Sequence, residues 1–179
     1  MNLSSVDCLM RNVASFGVVK QVIGVKSRLP DSLLPTDCFD FAFCANTLEM
    51  IRGGRGKAAY LAALKEIHRI LKPGGTFVLG EPMHLDVPVP AEFKKPLKKN
   101  GWGKCFATLE ETKRAVTEAG FAIDEADTCG EAQAWWEEFA AYTSYCVENP
   151  ANNDVSIIRG NNGRWLSFGY VIAKKPSCT

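Results

Sequence analysis

The decisive stretch begins Phe39-Asp40-Phe41-Ala42-Phe43-Cys44-Ala45-Asn46 and ends Leu71-Lys72-Pro73-Gly74-Gly75-Thr76-Phe77-Val78-Leu79-Gly80-Glu81. The first run is nearly all apolar, the composition of a strand buried on both faces of a parallel sheet. Arg52-Gly53-Gly54-Arg55-Gly56 then breaks the chain. From Lys57 to Leu71 the apolar residues Tyr60, Leu61, Leu64, Ile67, Ile70 and Leu71 recur at helical spacing and predict a long amphipathic helix. Lys72-Pro73-Gly74-Gly75 stops it, because proline cannot continue a helix and glycine accepts positive φ. Thr76 to Glu81 reads as the next strand. A strand, a helix and a second strand in this order define an α/β unit.

Working outward, residues 2–15 predict a helix with Leu3, Val6, Leu9, Met10 and Val13 along one face. Ser4 or Ser5 suits its cap, Asp7 falls in its first turn, and Gly17 ends it. Val18 to Val25 is strand-like, and Leu29 to Asp37 reads as a loop. Downstream, residues 82–104 read as a long proline- and lysine-rich loop, a length usually functional or disordered. Thr108 to Ala119 predicts a helix opened by a capping box of Thr108 and Glu111. Gly120 ends it before the strand-like Phe121 to Ala126. Glu131 to Val147 predicts another amphipathic helix, carrying Trp135, Trp136, Phe139, Tyr142 and Tyr145. Asn149 to Gly163 is polar and turn-rich, and Trp165 to Ala173 is a strong final strand. Strands alternating with helices imply an α/β fold with a mainly parallel sheet.

The chain of 179 residues suits a single domain, residues 1–179, and its hydrophobic fraction of 46% is that of ordinary globular proteins. A formal charge of +1 gives no global field to recruit nucleic acid or an anionic membrane surface. The densest cationic stretch, Lys94, Lys95, Lys98, Lys99 and Lys104, reads either as a solvated loop or as a phosphate-binding patch. No apolar run approaches the roughly 20 residues that span a bilayer. The amino terminus lacks the basic start and apolar run of a signal peptide. Seven cysteines (Cys8, Cys38, Cys44, Cys105, Cys129, Cys146 and Cys178) at irregular spacing, with no CxxC pair, argue against a disulfide framework or zinc site. Free thiols suit a reducing, cytoplasmic compartment.

Phe39 to Phe43, Asn46-Thr47-Leu48-Glu49 and Leu64 to Gly75 together resemble the second half of class I S-adenosyl-L-methionine (SAM)-dependent methyltransferases, type 11 domains above all. Ala119-Gly120-Phe121 resembles the family's turn into its sixth strand, and Phe168 to Lys175 its seventh. The resemblance spans about residues 18–175, and Met1 to Met10 looks like the helix after the family's second strand. It implies an incomplete Rossmann-like fold, mainly parallel with an antiparallel final strand, from the family order 3-2-1-4-5-7-6. Neither the family's glycine-rich loop nor its ribose-binding acid is present, so the chain reads as the carboxyl-terminal two-thirds of such a domain. Without the first two strands, the apolar strand Phe39 to Cys44 would carry an exposed edge. The long segment from Lys26 to Cys38 allows Val19 to Val25 to move across and pair with it; self-association of two chains, or a separate polypeptide that supplies the missing strands, are the other routes.

By the same resemblance, SAM is the cofactor and a small molecule is the methyl acceptor. The loop Cys44, Ala45, Asn46, Thr47 and Leu48 would lie beside the cofactor's amino-acid end, where ligands of open α/β sheets gather beyond the strand ends. Asn46 can offer its amide there or simply cap the strand. Gly24 and Val25 align with the family's adenine-binding position, where the usual carboxylate is missing; Asp31 is the nearest alternative. Glu81 and His84 are the local groups able to act as catalytic base, and Met83 between them would contact substrate. Trp102, Trp135 and Trp136 wall an acceptor pocket or pack in the core, and of the adjacent pair only one can point fully inward. No metal cluster is visible. Methyl transfer would be an in-line displacement from the sulfonium; the competing reading is a degenerate or truncated, non-catalytic module.

Overall fold

The structure, a computed structural model, describes residues 5–177. Leu3, Ser4 and Cys178 lie outside the described residues. Helix α1 (Ser5–Ser15) opens the chain. Val18 to Val25 is turn and coil rather than the expected strand. The Gln21 N–H donates to the Val18 carbonyl at 2.9 Å, and Ile23 and Val25 stand exposed. Gly24 lies so close to α1 that an added Cβ would press on Val6 and Met10. The segment therefore folds back on α1 and does not cross to the sheet. Residues 27–38 are instead tied to the next helix. Ser32 donates to Glu66, and the Arg69 guanidinium donates to Glu66, to Thr36 Oγ1 and to the Leu34 carbonyl. Those donors hold the Glu66 carboxyl down at about 2, with the Arg69 hydrogen bond as the largest cause.

Four strands form one sheet in the order β1-β2-β4-β3: β1 (Phe39–Ala45), β2 (Leu71–His84), β3 (Ala122–Thr128) and β4 (Leu166–Lys174). This is the 4-5-7-6 half of the order implied by the resemblance. β1 and β2 pair in parallel, while β4 runs antiparallel to both β2 and β3. Hence β1, β2 and β3 point the same way and only the final strand is reversed. Because β4 sits between β2 and β3, the antiparallel pairings outnumber the parallel one.

β1 is paired with β2 alone and forms a free edge. The expectation that its apolar run is buried on both faces is corrected: Phe39, Phe41 and Phe43 are 39%, 56% and 68% exposed. Ala42 and Cys44, on the opposite face, pack against the core. The Asn46 N–H donates to the Gly80 carbonyl of β2. Since backbone groups alternate along a strand, the N–H groups of Phe41 and Phe43 point away from β2 toward the open edge.

Helix α2 (Leu48–Ile70) packs across the sheet and is interrupted at Gly56 (φ 84°, ψ 174°). The expected glycine break is thus one residue wide, and Arg52 to Arg55 belong to a helix that starts directly after β1. Gly53 admits the short helix that ends at Cys105, since a Cβ there would strike Cys105 Sγ. The principal core joins Tyr60 and Leu64 of α2 to Phe77, Leu79 and Val171 of the sheet and to Val116 of the helix Leu109–Glu118.

Two segments that read as loop are largely helical. Residues 82–104 continue β2 and then form a 3-10 turn (Ala91–Phe93), α3 (Lys94–Asn100) and α4 (Trp102–Cys105). Residues 149–163 contain α8 (Asn153–Asn161), capped by Asn152 accepting from the Val155 N–H. Both are too short to show a helical period. Phe93, Leu97, Phe106, Trp136, Ile158 and Trp165 build a second core that stabilises them. α5 (Leu109–Glu118) has both bonds of the expected capping box. The predicted 131–147 helix is split at Thr143 into α6 (Ala132–Tyr142) and α7 (Ser144–Glu148). Among the described residues no helix is long and apolar enough to cross a membrane.

Candidate functional site

Beyond the carboxyl ends of β1 and β2 the chain builds a cavity of about 260 Å³. Asn46 follows β1 in the left-handed region (φ 51°), held by its N–H bond to Gly80. That turn starts α2 at Leu48 and aims Glu49 into the cavity's lining, beside Met50 and Pro82. The facing wall is aromatic. Trp102 of α4 lies 5.1 Å from Trp136 of α6, which stacks on Phe168 of β4 at 4.7 Å, and Phe139 closes the edge.

Behind this cavity lies a buried charged cluster. Glu49, Arg52 and Glu81 are 4%, 5% and 2% exposed. Tyr60 donates from its hydroxyl to Glu81 Oε2 at 2.8 Å. The Arg52 guanidinium sits 3.8 Å from the centre of the Tyr60 ring and reaches Glu81 Oε2 at 3.9 Å. One oxygen each of Glu49 and Glu81 has no hydrogen-bond partner. Burial is the main reason that Glu81 is pushed up to about 7, against the lowering pull of Arg52 and Tyr60. Burial likewise raises Glu49, and it raises Cys44 to about 11 with Glu81 adding to the effect.

A second, more open cavity of about 850 Å³ lies on the other side of Arg52. His84 borders it, stacked on Trp165 at 4.9 Å with its Nδ1 2.9 Å from the Leu85 carbonyl. Lys57, Lys104, Glu111 and Arg114 also line it.

Residues 6–79 match a family model described as a methyltransferase domain of type 11. No curated protein sequence matches the chain. Among solved structures, the chain is similar to the [4+2]-cyclase SpnF, with a TM-score of 0.67 at 20% identity over 97% of this chain and 64% of that one. It is similar to geranyl diphosphate methyltransferase in complex with SAM, with a TM-score of 0.73 at 12% identity over 97% and 66%. It is also similar to phosphoethanolamine N-methyltransferase 2 of Haemonchus contortus, with a TM-score of 0.60 at 15% identity over 82% and 36%. The chain thus spans less than two thirds of the length of these solved relatives, and the fold is that of class I methyltransferases.

Within this fold the anticipated site residues divide. Asn46 and Trp102 border the aromatic cavity, and Cys44 and Ala45 lead into it. Leu48, expected beside the cofactor, is fully buried in the principal core. Met83, expected beside substrate, is fully buried against Gly169, under β4. Trp135 is 43% exposed and leans on Phe168 from outside, while its neighbour Trp136 is the inward tryptophan. Gly24 and Val25 border neither cavity, since their segment is folded on α1. Glu81 is sealed behind Arg52 and Tyr60, and His84 faces the open cavity rather than the aromatic one. Glu49 was not anticipated. A carboxylate in a helix's first turn is ordinarily solvated and favoured by the dipole, and nothing local marks this one as buried.

Proposed function

We propose that the chain forms the acceptor-facing part of a SAM-dependent methyltransferase that acts on a small molecule. The observation that carries this reading is the aromatic cavity at the carboxyl ends of β1 and β2, inside a methyltransferase-family fold. Ligands of open α/β sheets bind in that position, and a pocket of apolar walls with few polar groups is typical of small-molecule sites.

The residues fit the cofactor in part. Cys44, Ala45 and Asn46 would hold its amino-acid end, with the exposed Asn46 amide as the polar contact. Gly24 and Val25 do not fit the adenine end, because they lie in coil against α1 and carry no carboxylate. When bound, SAM supplies a methyl group already activated on a sulfonium. The protein's own contribution is then to align the acceptor and exclude water, which the walls of Trp102, Trp136 and Phe168 are suited to do. Where the acceptor must shed a proton, Glu49 is the carboxyl group that lines the aromatic cavity, while His84 stands at the open one. Six unbridged thiols among the described residues fit a cytoplasmic setting.

The second reading, a non-catalytic methyltransferase-like module, is favoured by the coil at Gly24 and Val25. Shift mapping with S-adenosylhomocysteine separates the two. Perturbed amides at Cys44, Ala45 and Asn46 are expected, with an affinity weaker than low micromolar by calorimetry. Shifts confined to Lys94–Lys99, or none at millimolar ligand, would refute the methyltransferase reading.

A further inference from the structure

We infer that the aromatic cavity takes the ammonium head of a small, methylated or methylatable amine, an acceptor class that rests on the methyltransferase reading above. Trp102, Trp136, Phe139 and Phe168 line about 260 Å³. Aromatic faces attract cations through the ring quadrupole, tryptophan most strongly, and recognition of methylated ammonium groups by such cages is a direct use of that attraction.

An apolar aromatic pocket alone would serve any flat or greasy ligand. The carboxylate of Glu49 discriminates. It lines the cavity, is 4% exposed, and keeps one oxygen without a hydrogen-bond partner. Arg52, one turn along α2, attracts Glu49 through space but does not bond to it: its guanidinium lies over the Tyr60 ring, and among the described residues its ion pair is with Glu81. A buried acceptor left unpaired is costly. A ligand cation beside Glu49 supplies the partner that its buried oxygen lacks, whereas an anionic group cannot. The neighbouring Cys105 thiol, raised by burial first and by Glu49 second, carries no positive charge to pair with it.

The test uses the full chain and choline as probe, with tetramethylammonium beside it. The control is choline's uncharged carbon isostere, in which a tert-butyl group replaces the trimethylammonium. Tryptophan fluorescence, at constant ionic strength, reports on all four tryptophans, of which Trp102 and Trp136 line the cavity. Both cations are expected to bind saturably, the isostere about tenfold or more weaker. Glu49→Gln, equal in shape, is expected to remove that preference, and Trp102→Leu to weaken both cations. Equal binding of the isostere, or an unchanged preference in Glu49→Gln, overturns the inference. The sulfonium of the donor is the other source of a methylated cation. If Glu49→Gln weakens SAM relative to S-adenosylhomocysteine but leaves choline unchanged, the carboxylate serves the donor and the amine class falls. S-adenosylhomocysteine shifts at Asn46 without choline binding sink the amine class alone. Choline binding without any S-adenosylhomocysteine contact sinks the methyltransferase reading and keeps the ammonium site.

Discussion

Replacing Glu81 by glutamine is expected to stabilise this protein at about pH 8 and to change little at about pH 4. Glu81 is 2% exposed on β2, and burial holds its carboxyl at about 7 against an ordinary 4.5. The native state therefore keeps a proton that the unfolded chain has already released. Stability is greatest below 4.5, declines as the pH rises from there to about 7, and is flat above. Each pKa unit is worth about 1.4 kcal/mol, so ionised Glu81 costs the fold roughly 3 kcal/mol at about pH 8. Glutamine cannot ionise, and its carbonyl can still accept the Tyr60 hydroxyl that now lies 2.8 Å from Glu81 Oε2. For a domain of this size the gain corresponds to a melting-temperature rise on the order of 10 °C. Thermal unfolding of both proteins across this range is the assay. The wild type should lose stability between 4.5 and 7 and the variant should lose less, with a residual slope from Glu49, whose carboxyl is also raised by burial. The reasoning fails if Glu81→Gln is destabilised at about pH 8. That result would mean that the Arg52 ion pair at 3.9 Å outweighs the desolvation of the carboxylate.

Hydrogen exchange should be fast at the Phe41 and Phe43 amides, which face the open edge of β1, and slow at Ala42 and Cys44, which face β2. Slow exchange at all of them at low protein concentration would show that this edge is covered, and protection appearing only at high concentration would signal self-association through it. Glu66→Gln should loosen residues 27–37, because Glu66 accepts from both Ser32 and Arg69. Its carboxyl is held down at about 2, so its contribution is present above the ordinary 4.5 and is lost as the pH falls toward 2. Circular-dichroism melts at neutral and acid pH check this, and a variant that loses the same stability at both would contradict it.

Local signals in the sequence determined the elements whose causes are local. Thr108 and Glu111 close a capping box within one helical turn. Pro73 bars the helix from continuing beyond α2, which ends at Ile70, and Gly74 takes a φ of 79° that favours glycine in the first residues of β2. The resemblance carried by Phe39–Phe43 and Leu64–Gly75 supplied the order of the four strands and the place of the site at Asn46. Tertiary structure decided what depends on a distant partner. The apolar composition of β1 is that of a doubly buried strand, yet it lies at an edge because Val18 to Val25 folds onto α1 instead. α3 and α8 exist because Phe93, Leu97, Ile157 and Ile158 meet Trp165 in a second core, a contact between segments far apart in the chain. Leu48 and Met83 went to the interior, and Trp136 rather than Trp135 turned inward. Glu49 became a buried acceptor only because α4, α6 and β4 close over the first turn of α2. Burial is set by what covers a residue, and no window of neighbouring residues contains that information.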